Sequence, residues 1–368
     1  EVMSSYQEIL AWLEQDKAFA SETSQGVWAL PDGENYYNYR LAQMTTLELS
    51  ADKIHEIGLA EVERLHLAME KIKTAVNFEG SLQEFFVFMR ENDRFYFPNT
   101  DEGRQDYLDL NNQYLDAITL KLPDYFGRLP KAKLEVRRVE YFREQSGAAQ
   151  HYASGTPDGS RPGVFYSHMS DMSTLPIFQL EDVAYHEGSP GHHMQISIQQ
   201  ELTGVPRFRT QYRTTAYTEG WALYAEWLAK EMGAFEDPYS DFGRLSGELW
   251  RAIRLVVDTG IHAQQWSEER AVRYFIDNSA QAEGAIRSEI QRYITWPGQA
   301  TAYKIGMLKF QELRQSAEAA LGKDFDIRTF HDVVLGVGAL PMPLLKSRVD
   351  RWIEKVRLGS AENVRSAF

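Results

Sequence analysis

Residues 50–75 read SADKIHEIGLAEVERLHLAMEKIKTA, and this stretch decides the fold class. Ile54, Ile57, Leu59, Val62, Leu65 and Leu67 recur at the spacing of a helix face, with charged residues between them. Ser50 stands just before the pattern as an N-cap. Outward from this helix, the same period marks helices over 103–122, 244–265, 267–278, 280–294, 301–321 and 343–356, the first stopped by Pro123. Asp326-Ile327-Arg328 and the Gly-Pro cluster from Gly336 to Pro343 read as connections. Two stretches break the helical period. Residues 134–142 (LEVRRVEYF) alternate as a strand does, and residues 163–169 (GVFYSHM) form a second strand candidate. A loop rich in Gly, Ser and Pro, from Ser146 to Pro162, joins them into a small β-ribbon. The expectation is a mostly α protein with under about a tenth of its residues in strands, against the usual 20–25%. A boundary near residue 130 separates an N-terminal helical part (1–130) from a helical part carrying the ribbon (131–368), and the two are expected to share a core.

The chain has 368 residues, which suits one large domain or two ordinary ones. Hydrophobic residues make up 43% and charged residues 25%, enough for a folded core without staples. With no cysteine, disulfides and thiolate metal ligands are excluded. The formal charge of −14 repels nucleic acid and anionic lipid, and the basic clusters Lys131-Ala132-Lys133 and Arg137-Arg138 are too short to offset it. No apolar run approaches the roughly 18 residues of a membrane span, and no signal peptide is visible. The chain begins with Glu1, so a trimmed or processed product is expected. Nothing in the sequence bears on oligomeric state.

The chemistry lies in residues 185–195, Tyr-His-Glu-Gly-Ser-Pro-Gly-His-His-Met-Gln. A zinc-peptidase helix carries H-E-x-x-H because residues four apart share a face and both imidazoles reach one ion. Here the fifth position is Pro190. On a straight helix His192 lies about 240° around from His186, while His193 returns to the same face about 10 Å further along. Neither can join His186 on one ion, with ligands about 2 Å from the metal, unless the helix breaks between them. Ser189-Pro190-Gly191 supplies the break, with Ser189 expected to cap a new helix and Pro190 to occupy its first turn. A helix over 190–202, the turn Thr203-Gly204-Val205-Pro206 and a second helix from about Thr210 then form an antiparallel pair. On that pairing Glu219, about 14 Å into the second helix, comes level with His192, and Glu226 overshoots by about 10 Å. His186, His192 and Glu219 are therefore the expected ligands of one zinc ion, with His193 the alternative to His192. Glu187 is the expected general base. Glu226 is expected to be solvated or salt-bridged, and Trp221 and Tyr224 to be packing residues.

At these residues the sequence resembles a bacterial, peptidase-like family, domain of unknown function 885. The resemblance runs over nearly the whole chain in blocks: Gly26 to Gly33, Arg161-Pro162-Gly163, His186 to His193, Glu219 to Glu226, Val257 to His262, Arg292-Tyr293, Pro297 to Ala300 and Phe330-His331-Asp332. It implies a large helical metallopeptidase-like domain, with the β-ribbon beside its active-site cleft, similar to thimet-type oligopeptidases and carboxypeptidase Taq. It also implies zinc peptidase activity on short peptides and a periplasmic or exported location, in some members through a lipid anchor. A cytoplasmic location is the alternative. The lack of a plain H-E-x-x-H departs from those relatives.

Other residues complete the expected site. A peptidase needs a donor for the developing oxyanion. Tyr303 is the first candidate, with Tyr293 and His331 as alternatives. Arg251, Arg254 and Arg292 are candidates for a substrate carboxylate, set against simple ion pairing with the acidic surface. Tyr166 and the strand edge near Val164 are candidates for contact with an extended peptide. Asp258 and His262, four apart on one helix, are expected to pair or to orient a metal ligand. Two competing functions remain on the sequence alone: a metal-dependent amidase of a non-peptide substrate, and an inactive peptide-binding protein, against which the retained Glu187 argues.

Overall fold

The computed structural model describes residues 2–20, 23–145 and 148–365, with side chains through residue 359. Of the described residues, 68% are helical. Its first half contains α1 (Val2–Asp16), α2 (Gly33–Thr45), α3 (Ala51–Ala75), α4 (Leu82–Glu91), α5 (Asp101–Thr119) and the short α6 (Leu122–Tyr125). Three strands follow: β1 (Leu134–Arg138), β2 (His151–Ala153) and β3 (Gly163–Ser167). The second half holds α7 (Ile177–Glu187), α8 (His192–Gln200), α9 (Thr215–Glu231), α10 (Pro238–His262), α11 (Glu268–Asn278) and α12 (Glu283–Thr295). It closes with α13 (Ala302–Leu321), α14 (Ile327–Leu335) and α15 (Met342–Arg365).

Helix α3 begins where the sequence places it. Ser50 accepts from the Lys53 N–H, so one orphan donor of the first turn is satisfied. Its buried stripe is Ile54, Gly58, Val62, Leu65, Met69 and Ile72, whereas Leu59 and Leu67 are exposed. The stripe is narrower than the hydrophobic pattern because α3 packs mainly against α10, with α4 covering its second half. At Gly58 a side chain would meet Leu255 and Val256 at 2.8 Å, so the two helices touch nearly backbone to backbone. Ile327 and Arg328, expected in a connection, instead open the helix α14. Asp326 accepts from the N–H groups of Arg328 and Thr329 and starts α14, so its signal is a cap and not a turn.

The ribbon is a three-stranded sheet of order β1-β3-β2. β1 and β3 run parallel, with Val136 opposite Phe165, so they do not form a hairpin. The third strand, β2, comes from the stretch expected to be loop, and pairs antiparallel with β3. β3 is therefore central, and Val164 presents no free edge; β1 and β2 are the two edge strands. Both expected strands end early, at Arg138 and Ser167. The expected loop's first two residues, 146 and 147, lie outside the described residues.

Two large apolar clusters hold the helices together. One joins Val62, Phe85 and Phe95 to Phe178, Leu249 and Phe275; the other joins Ile118 and Phe126 to Tyr185, Trp221, Phe310 and Phe330. Each draws residues from both sides of position 130. α10 is buried along most of its length, so its polar face, with Glu248, Arg254, Asp258 and His262, is enclosed as well as its apolar one. Asp258 and His262 on α10 do not bond to each other. Asp258 accepts from the Tyr37 hydroxyl (2.5 Å) and the Gly298 N–H (3.1 Å). His262 accepts from the Val27 N–H at Nδ1 (3.1 Å), which leaves Nε2 to donate to the Tyr293 carbonyl (3.0 Å). These bonds tie residues 27–37, α10 and the 297–298 turn into one junction, and neither side chain reaches a candidate metal ligand.

Candidate metal centre

α7 ends at Glu187, and the chain turns through Gly188, a cis Ser189–Pro190 bond and Gly191 before α8 starts at His192. Ser189 does not cap α8; the N-cap is Gly191, which has no side-chain cap. The elbow is tighter than a capped restart. A Cβ on Gly191 would sit 2.1 Å from the His186 carbonyl oxygen and 2.3 Å from that of Tyr185, so only glycine fits. The Trp221 indole N–H donates to the Pro190 carbonyl (2.9 Å), pinning the elbow to α9 two residues from Glu219. Trp221 is thus a packing residue that also fixes the elbow.

This fold-back brings His186, His192 and Glu219 together. One donor atom from each lies within 4.8 Å of the others. His192 Nε2 is 3.4 Å, and His186 Nε2 3.7 Å, from Glu219 Oε2. The two imidazoles meet edge to face, with centroids 4.7 Å apart. Ligands about 2.0–2.2 Å from a tetrahedral zinc stand roughly 3.3–3.6 Å apart, so this set of two nitrogens and one oxygen fits such an ion with modest adjustment. α9 begins at Thr215, five residues later than expected, because residues 207–210 form a separate 3-10 turn. Glu219 therefore acts from the first turns of α9.

His193 turns the other way. Its Nδ1 bonds the Tyr152 hydroxyl of β2 (3.0 Å), and burial lowers its pKa to about 4. Of the two candidates, His192 is the one the structure puts against Glu219.

Behind His186 stands Glu226, whose carboxylate accepts from Nδ1 at 2.5 Å. Of the two expectations for it, solvated or salt-bridged, the second holds: it is buried and paired with His186. Seven residues separate Glu219 from Glu226, about two helical turns, so one face of α9 presents a carboxylate to each side of His186. That spacing was the available signal for this second role. Asp182, one turn before His186, lies beside Glu226. Burial and the Glu226 charge raise its pKa well above the usual carboxylate range, while Arg251 and His186 oppose the shift. Burial disfavours a charged His186, but the Glu219 and Glu226 carboxylates outweigh it and lift its pKa to about 10. Glu219 moves oppositely: burial would raise it, yet the His192 and His186 imidazoles hold it well below the usual range. A cation would take the place of the proton shared among these groups.

Glu187 is buried at the same elbow and has no hydrogen-bond partner among the described residues. Burial raises its pKa, with His192 and His186 pulling it down and Glu219 pushing it up. His151 on β2 also acts on it, which gives that histidine a place beside the site that its sequence context did not suggest. His151 stacks on Tyr166, the rings 5.4 Å apart.

The remaining candidates divide. Tyr303 lies beside Glu219, because α9 and α13 cross where a Cβ on Gly220 would be 2.5 Å from Gly306 Cα, one turn from Tyr303. Its pKa is raised, first by burial and then by the Glu219 charge. Arg251 donates to the Gly247 carbonyl (3.1 Å) and faces Asp182, behind the ligands. Arg254 and Arg292 both pair with Glu289, at 3.0 and 2.8 Å. Tyr293 is fully buried, with its hydroxyl between Arg254 and Glu289, so it lines no cleft. His331 is fully buried too, bonded to the Tyr125 carbonyl (2.8 Å) and the Tyr224 hydroxyl (2.9 Å). Burial lowers its pKa to about 3. Both its nitrogens are engaged in joining α6, α9 and α14, so His331 is placed as a packing residue and not as an oxyanion donor.

A mostly helical protein with a His-His-Glu cluster, its two histidines buried and its glutamate partly so, at a helix elbow is the class these observations define. The chain belongs to a family of bacterial proteins of unknown function, domain of unknown function 885, whose profile matches residues 1–349. The crystal structure of a candidate lipoprotein from Colwellia psychrerythraea is 40% identical and superimposes with a TM-score of 0.93, over 96% of this chain and 61% of that one. A candidate lipoprotein of unknown function from Shewanella oneidensis, 19% identical, shares the fold with a TM-score of 0.73 over 93% of this chain and 63% of that one. The chain thus spans less than two thirds of the length of either structure. No curated protein matches it. Among the described residues, no helix is long and apolar enough to cross a membrane.

Proposed function

We propose that this chain is the catalytic part of a zinc-dependent peptidase acting on short peptides, in an exported and, by similarity to the two candidate lipoproteins, lipid-anchored protein. The observation that carries the proposal is the convergence of buried His186 and His192 on partly buried Glu219, with a further carboxylate, Glu187, at the same elbow. His186, His192 and Glu219 would hold one zinc and leave a position open. Zinc bound there supplies a Lewis acid that brings the pKa of a water near neutrality. Glu187 would take a proton from the attacking water and pass it to the leaving amine; its lack of another partner leaves it available for both transfers. Glu226 keeps the His186 ring in the tautomer that presents Nε2. Tyr303, beside Glu219, supplies an O–H to the developing oxyanion.

Glu187→Gln tests the roles apart. It keeps the shape and removes the base, so zinc content and thermal stability should stay near wild type. Hydrolysis of a mixed peptide library should fall on the order of 10²–10⁴-fold. Glu219→Ala should lose the metal. Undiminished hydrolysis in Glu187→Gln, or stoichiometric zinc in Glu219→Ala, would reject the respective assignment.

A further inference from the structure

One buried cluster beside the metal centre carries more positive charge than its own partners neutralise. Arg254 on α10 and Arg292 on α12 share a single carboxylate, Glu289. Arg292 engages it through two nitrogens, at 3.1 and 2.8 Å. Arg254 reaches it with Nη2 and donates from Nε to the Tyr293 hydroxyl at 2.9 Å. The third nitrogen of Arg254, Nη1, is buried with no partner among the described residues. Asp258, the other acidic group near Arg292, already accepts from Tyr37 and Gly298. An unpaired guanidinium N–H in a protein interior costs free energy, and structures rarely leave one without a purpose.

The cluster's position gives that purpose. The Arg254 guanidinium lies 4.6 Å from the centre of the Tyr303 ring, and Tyr303 in turn neighbours Glu219. The order is metal ligand, then tyrosine, then arginine. Arg292 is less buried than Arg254, with 30% of its side chain exposed, and its Nη1 donates to Gln299 at 2.8 Å. Gln299 reaches the Tyr303 hydroxyl at 3.5 Å. The half-exposed guanidinium and the tyrosine therefore form one continuous wall, with the excess charge of Arg254 behind it.

We propose that Arg254 and Arg292 form a carboxylate-binding subsite beside the metal centre, which makes the preferred substrate a peptide carrying a carboxylate one residue beyond the scissile bond. The simplest such group is the free C-terminus, so the cleavage mode is removal of the last residue. The order along the wall matches the order along such a substrate, whose last peptide carbonyl comes before its terminal carboxylate. An acidic side chain on the last residue carries the same chemistry. This deepens the peptidase assignment above and rests on it.

The test uses zinc-loaded Glu187→Gln chain, which binds without turnover, and calorimetry with three N-acetylated dipeptides. One ends in a free acid with an apolar side chain, one is its C-terminal amide, and one is an amide whose last residue is Glu. The free acid should bind on the order of 10- to 100-fold more tightly than the apolar amide, the usual worth of a charge-assisted pair. Tighter binding of the Glu amide would keep the subsite and assign it to the side chain. Adding Arg254→Met should bring the ratio to within about threefold of unity. Because Arg254 packs against three aromatic rings and its removal can unfold the chain, Arg292→Met is the second variant, with the same expectation. Equal affinity for all three ligands, no binding of any, or a preference that survives both substitutions overturns the subsite. Failure of the peptidase assignment reads out separately, as wild-type enzyme that leaves a peptide library uncut while the preference for carboxylates persists.

Discussion

Glu226→Ala is the substitution that most directly tests how the metal centre is built. In the folded chain the Glu226 carboxylate accepts from His186 Nδ1 at 2.5 Å, and both side chains are buried. Removing it leaves the Nδ1–H without an acceptor and frees the ring to turn, so Nε2 is no longer held toward Glu219. Loss of such a support typically lowers metal affinity about 10–100-fold, or roughly 1.4–2.7 kcal/mol. The metal-free protein responds through two opposing effects. A buried charge-assisted hydrogen bond is lost, at about 1.5–3 kcal/mol. Against this, Asp182 is relieved of the Glu226 charge that helps raise its pKa. The net apo destabilisation should therefore fall below the hydrogen-bond figure, while the affinity loss stands in full. Zinc titration against a competing chelator gives the affinity, and thermal unfolding with and without zinc separates it from stability. Glu226→Gln keeps an acceptor and should recover most of the loss. Unchanged zinc affinity in the alanine variant would refute the orienting role, and loss in both variants alike would show that charge, not the acceptor, is what matters.

Two further outcomes follow from the packing. Gly191→Ala should abolish stoichiometric zinc binding while leaving most helical circular dichroism, because a Cβ 2.1 Å from the His186 carbonyl forces the elbow open; retained zinc would mean the elbow is not needed to join the ligands. Glu248, buried and bonded to Lys304 Nζ at 2.5 Å, has its pKa lowered to about 2: burial opposes the shift, but Lys304, Arg64 and Arg244 outweigh it. Its stabilisation is fully present above the ordinary value of 4.5 and is lost as pH falls toward 2. At about 1.4 kcal/mol per pKa unit this is on the order of 3 kcal/mol. Glu248→Gln should lower stability at pH 7 and flatten the fall of chemically measured stability between pH 5 and 3; an unaltered slope would remove Glu248 from the acid response.

Periodicity and donor chemistry were legible in the chain itself. The long helices follow from apolar spacing and from caps such as Ser50, which act over three or four residues and need no partner to be read. The candidate ligands are legible for a similar reason: Pro190 makes a straight H-E-x-x-H helix impossible, so a break with His192 folded back is what geometry permits. What sequence could not decide depends on which surfaces meet. Three residues, His151–Ala153, are too few to show a period, and they become a strand only because β3 lies alongside. Leu59 and Leu67 look like core residues until α10 takes the other face of α3. His331 and Tyr293 carry chemistry-bearing side chains and sit in promising blocks, yet Tyr125, Tyr224, Arg254 and Glu289 engage their polar atoms in the interior. The choice between His192 and His193 turns on Tyr152, forty-one residues away, which takes one ring and leaves the other for Glu219. Local patterns set what each segment can be, because their energies act within a few residues; which polar group finds which partner is decided only when distant helices close and water is excluded.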